Sequence, residues 1–306
     1  MKRKIAVTGT TGFIGSHLVR TLAEDGEMVS VIVRDKKKAE VCFYDILDQI
    51  EIYVMENSIE KLADFLKSRE IISVVHLATK YLTQSTAEDI EDLVKGNILF
   101  GMQVLEAMKI AEVKKIIYTG SSWQHYRNQV YCPVNVYAAT KQAFEDILRY
   151  YSDAENIQAI ALEIYDTYGE ADYREKLIPN WKKVYKTREE ILLSAGEQKL
   201  DYVYIADIVT GIKRAIQLLE SIPQNQKYEK KYALSSEKIY TLKEIAAIFE
   251  EVYHTKLPIQ WGKKTYRKRE VMQPYRGLER LPGWSIKYGL KEGFEQMFRK
   301  EEEKEG

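Results

Sequence analysis

Tyr137 and Lys141, four positions apart in Tyr137-Ala138-Ala139-Thr140-Lys141, are the residues in this chain best suited to moving a proton. Positions i and i+4 share a helix face, so at a helix start the phenol and the ammonium are neighbours. A free tyrosine titrates near ~10, too high for easy exchange at neutral pH, and a fixed positive charge beside it favours the phenolate. Tyr137 would then serve as general acid when a carbonyl is reduced, or as general base when an alcohol is oxidised. The spacing alone says little in a chain with 22 tyrosines. Its surroundings say more. Ile116-Ile117-Tyr118-Thr119-Gly120-Ser121-Ser122 reads as a strand running into a serine-rich loop. A hydroxyl there would bond the same substrate oxygen and stabilise its developing charge. Ser122 is taken for that role ahead of Ser121.

A second group of residues is built for phosphate. Ile5-Ala6-Val7-Thr8-Gly9-Thr10-Thr11-Gly12-Phe13-Ile14-Gly15 spells a buried strand, a glycine-rich turn and a helix start. The turn must be tight, the backbone must approach a pyrophosphate closely, and the helix must pack on its strand. The helix N-terminus then offers free N–H groups to the phosphates. Gly9, Thr11, Gly12, Phe13, Ile14 and Gly15 are therefore expected to bind a dinucleotide; an ordinary glycine turn is the bland alternative. At the end of the second strand, where NAD sites usually place an Asp or Glu, the chain has Val33 followed by Arg34. An arginine pairs with a 2′-phosphate, so NADP (NADPH) is expected rather than NAD. In the alternative, Arg34 is solvated and Asp35 takes the ribose.

The elements that position these residues alternate. Ile5–Thr8, Val29–Val33, Ile50–Val54, Ile71–His76, Ile116–Tyr118 and Ala159–Ile164 read as strands, apolar on both faces as in a covered parallel sheet. Helical patterns lie between them: one marked by Ile14, Leu18 and Leu22, one long helix from about Ala87 to Ala111, and one from Tyr137 through Tyr151. This predicts an α/β fold, a doubly wound parallel sheet of Rossmann type with a smaller C-terminal substrate lobe. Further on, Asp201–Ile205 reads as a strand and Ala206–Leu219 as a helix, and Thr241-Leu242-Lys243-Glu244 spells a capping box opening a helix to Tyr253. Residues 1–167 plus 201–222 are assigned to the dinucleotide-binding domain. Residues 168–200 plus 223–306 are assigned to the smaller lobe.

Composition excludes other classes. In 306 residues, Lys+Arg and Asp+Glu both number 46, so the net charge is zero and wholesale binding to nucleic acid or an acidic membrane is not expected. Cys42 and Cys132 form neither a metal spacing nor a disulfide framework, and the four histidines are scattered, so no metal is expected. No apolar stretch approaches the ~20 residues a membrane span needs, and a cytoplasmic protein is expected. Glu301-Glu302-Glu303-Lys304-Glu305-Gly306 reads as a solvated tail.

Together these residues resemble the extended short-chain dehydrogenase/reductase family, also called the NAD-dependent epimerase/dehydratase family, from residue 3 to about 295. The glycine loop matches its Thr-Gly-x-x-Gly-x-x-Gly, Tyr137 and Lys141 match its Tyr-x-x-x-Lys, and Ser122 stands four residues before Tyr126, as its catalytic Ser or Thr does. Val75-His76-Leu77-Ala78 is similar to the element that runs along the cofactor, which implies contacts from Leu77, Ala78 and the following Thr79. Asn97 matches an asparagine of the next helix, and Glu56-Asn57 replaces the Asp-hydrophobe pair beside the adenine, which implies a cofactor contact from Asn57. Tyr165-Asp166-Thr167-Tyr168-Gly169 resembles the Asn-x-Tyr-Gly element, with Asp166 in place of Asn, and Glu163 replaces a common Arg.

The resemblance implies a nucleotide-diphosphate sugar as substrate. Sugar dehydratases carry Asp-Glu after the catalytic hydroxyl residue; Trp123-Gln124 stands here, which argues against dehydration. The looks are closest to nucleotide-sugar 4-ketoreductases, such as the CDP-abequose and CDP-paratose synthases. Tyr81, Trp123, Gln124, His125, Asp166 and Lys176, with Ser122, are the candidate sugar and diphosphate contacts; the run Lys263–Arg269 is a weaker one. A homodimer through the 87–111 and 137–153 helices is implied. The rivals to the reductase are a nucleotide-sugar epimerase without net redox and a non-catalytic dinucleotide sensor, the latter disfavoured by the complete Ser–Tyr–Lys set.

Overall fold

A computed structural model describes residues 2–305, with side chains through residue 303. Strands β1 (Lys4–Thr8), β2 (Met28–Val33), β3 (Ile50–Val54), β4 (Ser73–His76), β5 (Lys115–Ser121) and β6 (Gln158–Ile164) alternate with helices. These are α1 (Phe13–Glu24), α2 (Lys36–Cys42), α3 (Ile59–Ser68), α4 (Ile90–Val94), α5 (Phe100–Ile110) and α6 (Val136–Glu155). Then come β7 (Asp166–Tyr168), α7 (Leu177–Thr187), β8 (Ile191–Leu192), β9 (Lys199–Leu200), β10 (Tyr202–Tyr204), α8 (Ile205–Ser221), β11 (Glu229–Leu234), β12 (Tyr240–Thr241), α9 (Leu242–Val252), β13 (Ile259–Gln260) and α10 (Leu290–Glu305).

The main sheet has seven parallel strands in the order β11-β6-β5-β4-β1-β2-β3. It is doubly wound, as the sequence predicts. One apolar core joins the sheet to α1, α8 and the late helices α9 and α10, and another joins it to α3, α5 and α6. Strands buried on both faces explain the uninterrupted Val/Ile runs. The order reverses between β1 and β4, which opens a crevice beyond their carboxyl ends, where open α/β sheets bind ligands.

Three elements differ from the expectation. The 87–111 segment is not one regular helix: α4 and α5 are joined by a π turn, Lys95–Leu99. Asn97, buried in that turn, spends its amide on groups outside the helix, and such insertions into the i→i−4 ladder widen it. Glu229–Leu234, assigned from sequence to the smaller lobe, is the seventh strand of the main sheet, pairing with β6. Its Glu229-Lys230-Lys231 start hid it, because edge strands carry charge where central strands carry aliphatics. The chain end differs in being helical through Glu305, with Glu301 paired to Lys182 while Glu302 and Glu303 are exposed; Gly306 lies outside the described residues. The Thr241 capping box is formed, Thr241 Oγ1 accepting from Glu244 N at 3.2 Å. Among the described residues no helix is long and apolar enough to cross a membrane.

Candidate active site

A cleft of ≈ 570 Å³ runs along the carboxyl ends of the strands. Its floor begins with the glycine loop. Gly9 has φ +70°, a conformation that disfavours side chains, and a Cβ there would sit 2.5 Å from Ala78 N. A Cβ on Gly15 would sit 2.2 Å from Gly9 O. Gly12 caps α1 without a side chain, so no side chain satisfies the leading N–H groups of the helix, and this end lines the cleft. This cradle fits a diphosphate. Thr11, Phe13, Ile14, Leu77, Ala78 and Thr79 line the same cleft.

At one end stand Arg34, Asp35 and Lys38. Asp35 is the N-cap of α2, and its Oδ1 accepts from Lys38 N at 3.0 Å. One carboxylate oxygen is thus committed to the helix, leaving two cations beside it. Lys38 was not foreseen.

In the middle lies the proton machinery. Asn135 caps α6, its Oδ1 accepting from Ala138 N at 2.9 Å, which sets Tyr137 in the first turn facing the cleft. The Asn135 amide also donates to Leu82 O and Thr83 O, at 3.0 and 2.9 Å, tying the facing loop to the same helix start. Lys141 follows one turn later, buried, its Nζ 4.6 Å from the Tyr118 ring centre. Ser121 ends β5, and both it and Ser122 line the cleft. The hydroxyls of Ser121 and Thr79 act on the Tyr137 phenol and favour its charged form. The strand runs three residues further than its apolar pattern, which carries Ser121 to the phenol.

Burial dominates the electrostatics. It pushes the Tyr137 phenol up to about 12, against the pull of the Ser121 and Thr79 hydrogen bonds. It pulls Lys141 down to about 7, opposed by Glu145. The expected lowering of Tyr137 does not follow in the protein alone, because desolvation disfavours the charged forms of both groups. His76, whose Nδ1 lies 2.9 Å from Thr8 Oγ1, is held neutral by burial, at about 3.

The far end is aromatic and cationic. The Tyr81 ring packs edge-on to Tyr137, centres 5.1 Å apart, and tilts toward Trp123 at 5.8 Å. Lys176 lies 4.8 Å over Tyr81 and 3.9 Å from Asp166 Oδ1. The Asp166 carboxylate thus has a cation beside it, which answers its unexpected charge near a diphosphate. Arg267, within the basic Lys263–Arg269 run, lies 5.1 Å over Trp123. Arg174 and Tyr173 also line the cleft, Tyr173 donating to Thr11 O at 2.7 Å. Neither was foreseen, since a loop arginine carries no local signal of what it will face.

Four candidates are not among the residues lining the cleft. Asn57 is exposed, with φ +56°, just before the Ser58 cap of α3. Asn97 is buried behind the cleft: its Oδ1 accepts from Lys80 N (2.6 Å) and Thr79 (3.0 Å), and its amide donates to Thr140 (2.8 Å). It shapes the loop that does line the cleft. Gln124 is fully buried, accepting from Ser121 N at 2.8 Å. His125 is buried against Glu163, Nε2 to Oε2 2.6 Å. Adjacency in sequence misled here, because the 3₁₀ turn Ser122–Gln124 sends successive side chains in different directions. Among the described residues no group of three or more His, Cys, Asp or Glu side chains is placed to hold a metal.

A Rossmann-type sheet, a glycine cradle at its switch point and a buried Tyr–Lys pair with a serine turn define a short-chain dehydrogenase/reductase of the extended type. Residues 5–229 match the NAD dependent epimerase/dehydratase family, and the chain belongs to it. It is similar to the CDP-abequose synthase of Salmonella muenchen, 28% identical over 99% of this chain and 99% of that one. It is also similar to the CDP-abequose synthase of Yersinia pseudotuberculosis, 30% identical over 89% of this chain and 91% of that one. Among solved structures it resembles the UDP-glucuronic acid 4-epimerase from Bacillus cereus in complex with UDP-glucuronic acid and NAD, with TM-score 0.82, 21% identity, and 98% and 99% of the two chains covered. That likeness bears on the fold.

Proposed function

We propose that this enzyme reduces the C4 keto group of a nucleotide-linked deoxysugar, with NADPH as hydride donor. The observation that carries the reading is the likeness to CDP-abequose synthases over nearly the whole chain, joined to a cleft that presents Tyr137 beside Ser121 and Ser122. A carbonyl being reduced needs a proton donor, and the Tyr137 phenol can supply one. Trp123-Gln124 in place of Asp-Glu disfavours elimination. The CDP-abequose synthases, alike over nearly the whole chain, support the substrate class.

The glycine loop would hold the diphosphate of the cofactor, Arg34 and Lys38 its 2′-phosphate, and Lys141 the ribose of its nicotinamide half. When bound, NADPH supplies the hydride that reduces C4. Tyr137 gives its phenolic proton to the C4 oxygen and recovers one from solvent. Ser121 and Ser122 orient that oxygen, and their hydroxyls stabilise its developing charge. Lys176, Arg267 and Arg174 line or overlook the end where the substrate diphosphate would lie, with Tyr81 and Trp123 as apolar walls for the sugar ring.

The test is cofactor oxidation, NADPH and NADH in parallel, against CDP-, dTDP-, GDP- and UDP-linked 4-keto sugars. NADPH oxidation with one of them is expected. Interconversion of a UDP-hexose pair without net oxidation would instead establish an epimerase with retained NAD. Tyr137→Phe should lower kcat by about 10²-fold or more while leaving NADPH affinity unchanged.

A further inference from the structure

Outside the cleft, a continuous polar chain runs beneath the serine turn. Gln124, which accepts from Ser121 N, donates through its amide to Glu145 Oε1 at 3.1 Å and to Gln142 at 2.9 Å. Lys231 of β11 donates to Glu145 Oε2 at 2.9 Å and lies 3.3 Å from Glu163 Oε2. Glu163 of β6 in turn meets His125 Nε2, and His125 Nδ1 donates to the Gln129 carbonyl at 3.0 Å. Glu163 is fully buried and the Glu145 side chain is 11% exposed. The chain joins β5, α6, β6 and β11 under the residues proposed for chemistry, and the mechanism above uses none of it.

Glu145 stands at the centre of this chain and one helical turn beyond Lys141. Tyr137, Lys141 and Glu145 are i, i+4 and i+8 of α6, on one face. Its Oε1 lies so near Gly120 that a Cβ there would be 2.6 Å away, so the strand carrying Ser121 has a glycine where the carboxylate approaches. We propose that Glu145 is a positioning residue: it holds the serine turn through Gln124, and its carboxylate keeps the Lys141 ammonium charged in a buried site. Lys231, seated on the other oxygen, opposes the second effect by sharing the same negative charge. The groups facing Lys141 are Tyr118 on β5, His76 on β4, and Tyr137 and Glu145 on its own helix. Of these Glu145 is the carboxylate, and it raises Lys141 against the burial that lowers it. The groups facing Glu145 are Lys231, Gln124, Gln142 and Tyr118; those facing Glu163 are His125, Lys231 and Tyr165. The inference rests on the reading that Lys141 and Tyr137 act in turnover, but its test does not.

Label the full chain with [13Cε]lysine, assign the Lys141 resonance by its loss in Lys141→Met, and titrate it without cofactor or sugar. In Glu145→Gln the titration should move to lower pH by about one unit, the scale of losing a nearby opposite charge. In Lys231→Met it should move to higher pH. A packing effect alone would not shift the two variants in opposite directions. Lys141 titrating alike in wild type and both variants, with the amide spectra showing all three folded, would overturn the proposal. Glu163→Gln, further along the chain, provides a smaller perturbation should Glu145→Gln fail to fold: it should raise the effective share of Lys231 on Glu145 and lower Lys141, and no movement there would equally overturn it. Retained turnover in Tyr137→Phe would sink the catalytic reading while leaving this titration intact.

Discussion

Tyr137 and Lys141 were legible from their spacing together with the strand and serine-rich loop before them, but their charge states were not. Both follow from burial, which no i+4 pattern encodes. Lys141 also leaves a mark on stability. Its folded value is depressed, to about 7, so the unfolded chain binds the proton more tightly wherever pH lies below the unfolded value near ~10.4. The penalty is absent above that value, grows as pH falls toward 7, and is constant below. Lys141→Met should therefore melt at a higher temperature than wild type at pH 6, with the advantage vanishing by about pH 10.5, while losing turnover. A lower melting temperature at pH 6 would show that the ammonium is stabilised rather than strained. Arg34 belongs to the same scale. Arg34→Ala should weaken NADPH binding by about 10-fold or more, one charge-assisted contact, and leave NADH almost unaffected. Equal losses for both cofactors, read by nicotinamide fluorescence, would place Arg34 outside the 2′-phosphate site.

Elements decide which side chains reach the cleft. The β1–α1 turn works because Gly9 takes φ +70° and passes within contact of Ala78 N. Gly9→Ala should abolish measurable NADPH binding and destabilise the fold, since a left-handed residue with Cβ costs about 1 kcal/mol before the clash is counted. Unchanged affinity by titration calorimetry would mean that the loop can move aside. The π turn Lys95–Leu99 is an element that periodicity hides. Ile90, Val94 and Leu105 keep a helical rhythm through it, yet one extra residue turns Asn97 inward to brace Thr79, Lys80 and Thr140. The 3₁₀ turn after β5 has the same consequence: Trp123 reaches the cleft, and Gln124 and His125 turn into the protein.

At the scale of the molecule, the α4–α5 and α6 faces leave Ile90, Val94, Leu99, Met102, Val136 and Tyr150 exposed. Exposed apolar residues gathered into one patch would favour association. We expect a homodimer in sedimentation velocity, with Val94→Glu and Met102→Glu together shifting it to monomer at unchanged NADPH affinity. A monomeric wild type at micromolar concentration would count against this face. The 173–174 loop meets the glycine turn and α1 along the cleft, where Tyr173 reaches Thr11 O and Arg174 lies 4.2 Å over Phe13. These contacts join residues far apart in sequence, and the aromatic and cationic end of the cleft is assembled almost entirely from such residues.

Local chemistry was enough to read a doubly wound sheet, a glycine-rich turn and a Tyr–Lys pair behind a serine loop. Each is written in consecutive residues: aliphatic runs for buried strands, glycines for a turn that excludes Cβ, and i+4 spacing for a shared helix face. What the tertiary structure alone decided is everything that depends on which distant groups meet. It brought both Ser121 and Ser122 to the cleft, put Glu229–Leu234 into the sheet, and turned Gln124, His125 and Asn97 away from the cleft. It also set the charge on Lys141, because desolvation and the field of a buried carboxylate are properties of the packed interior rather than of any run of residues.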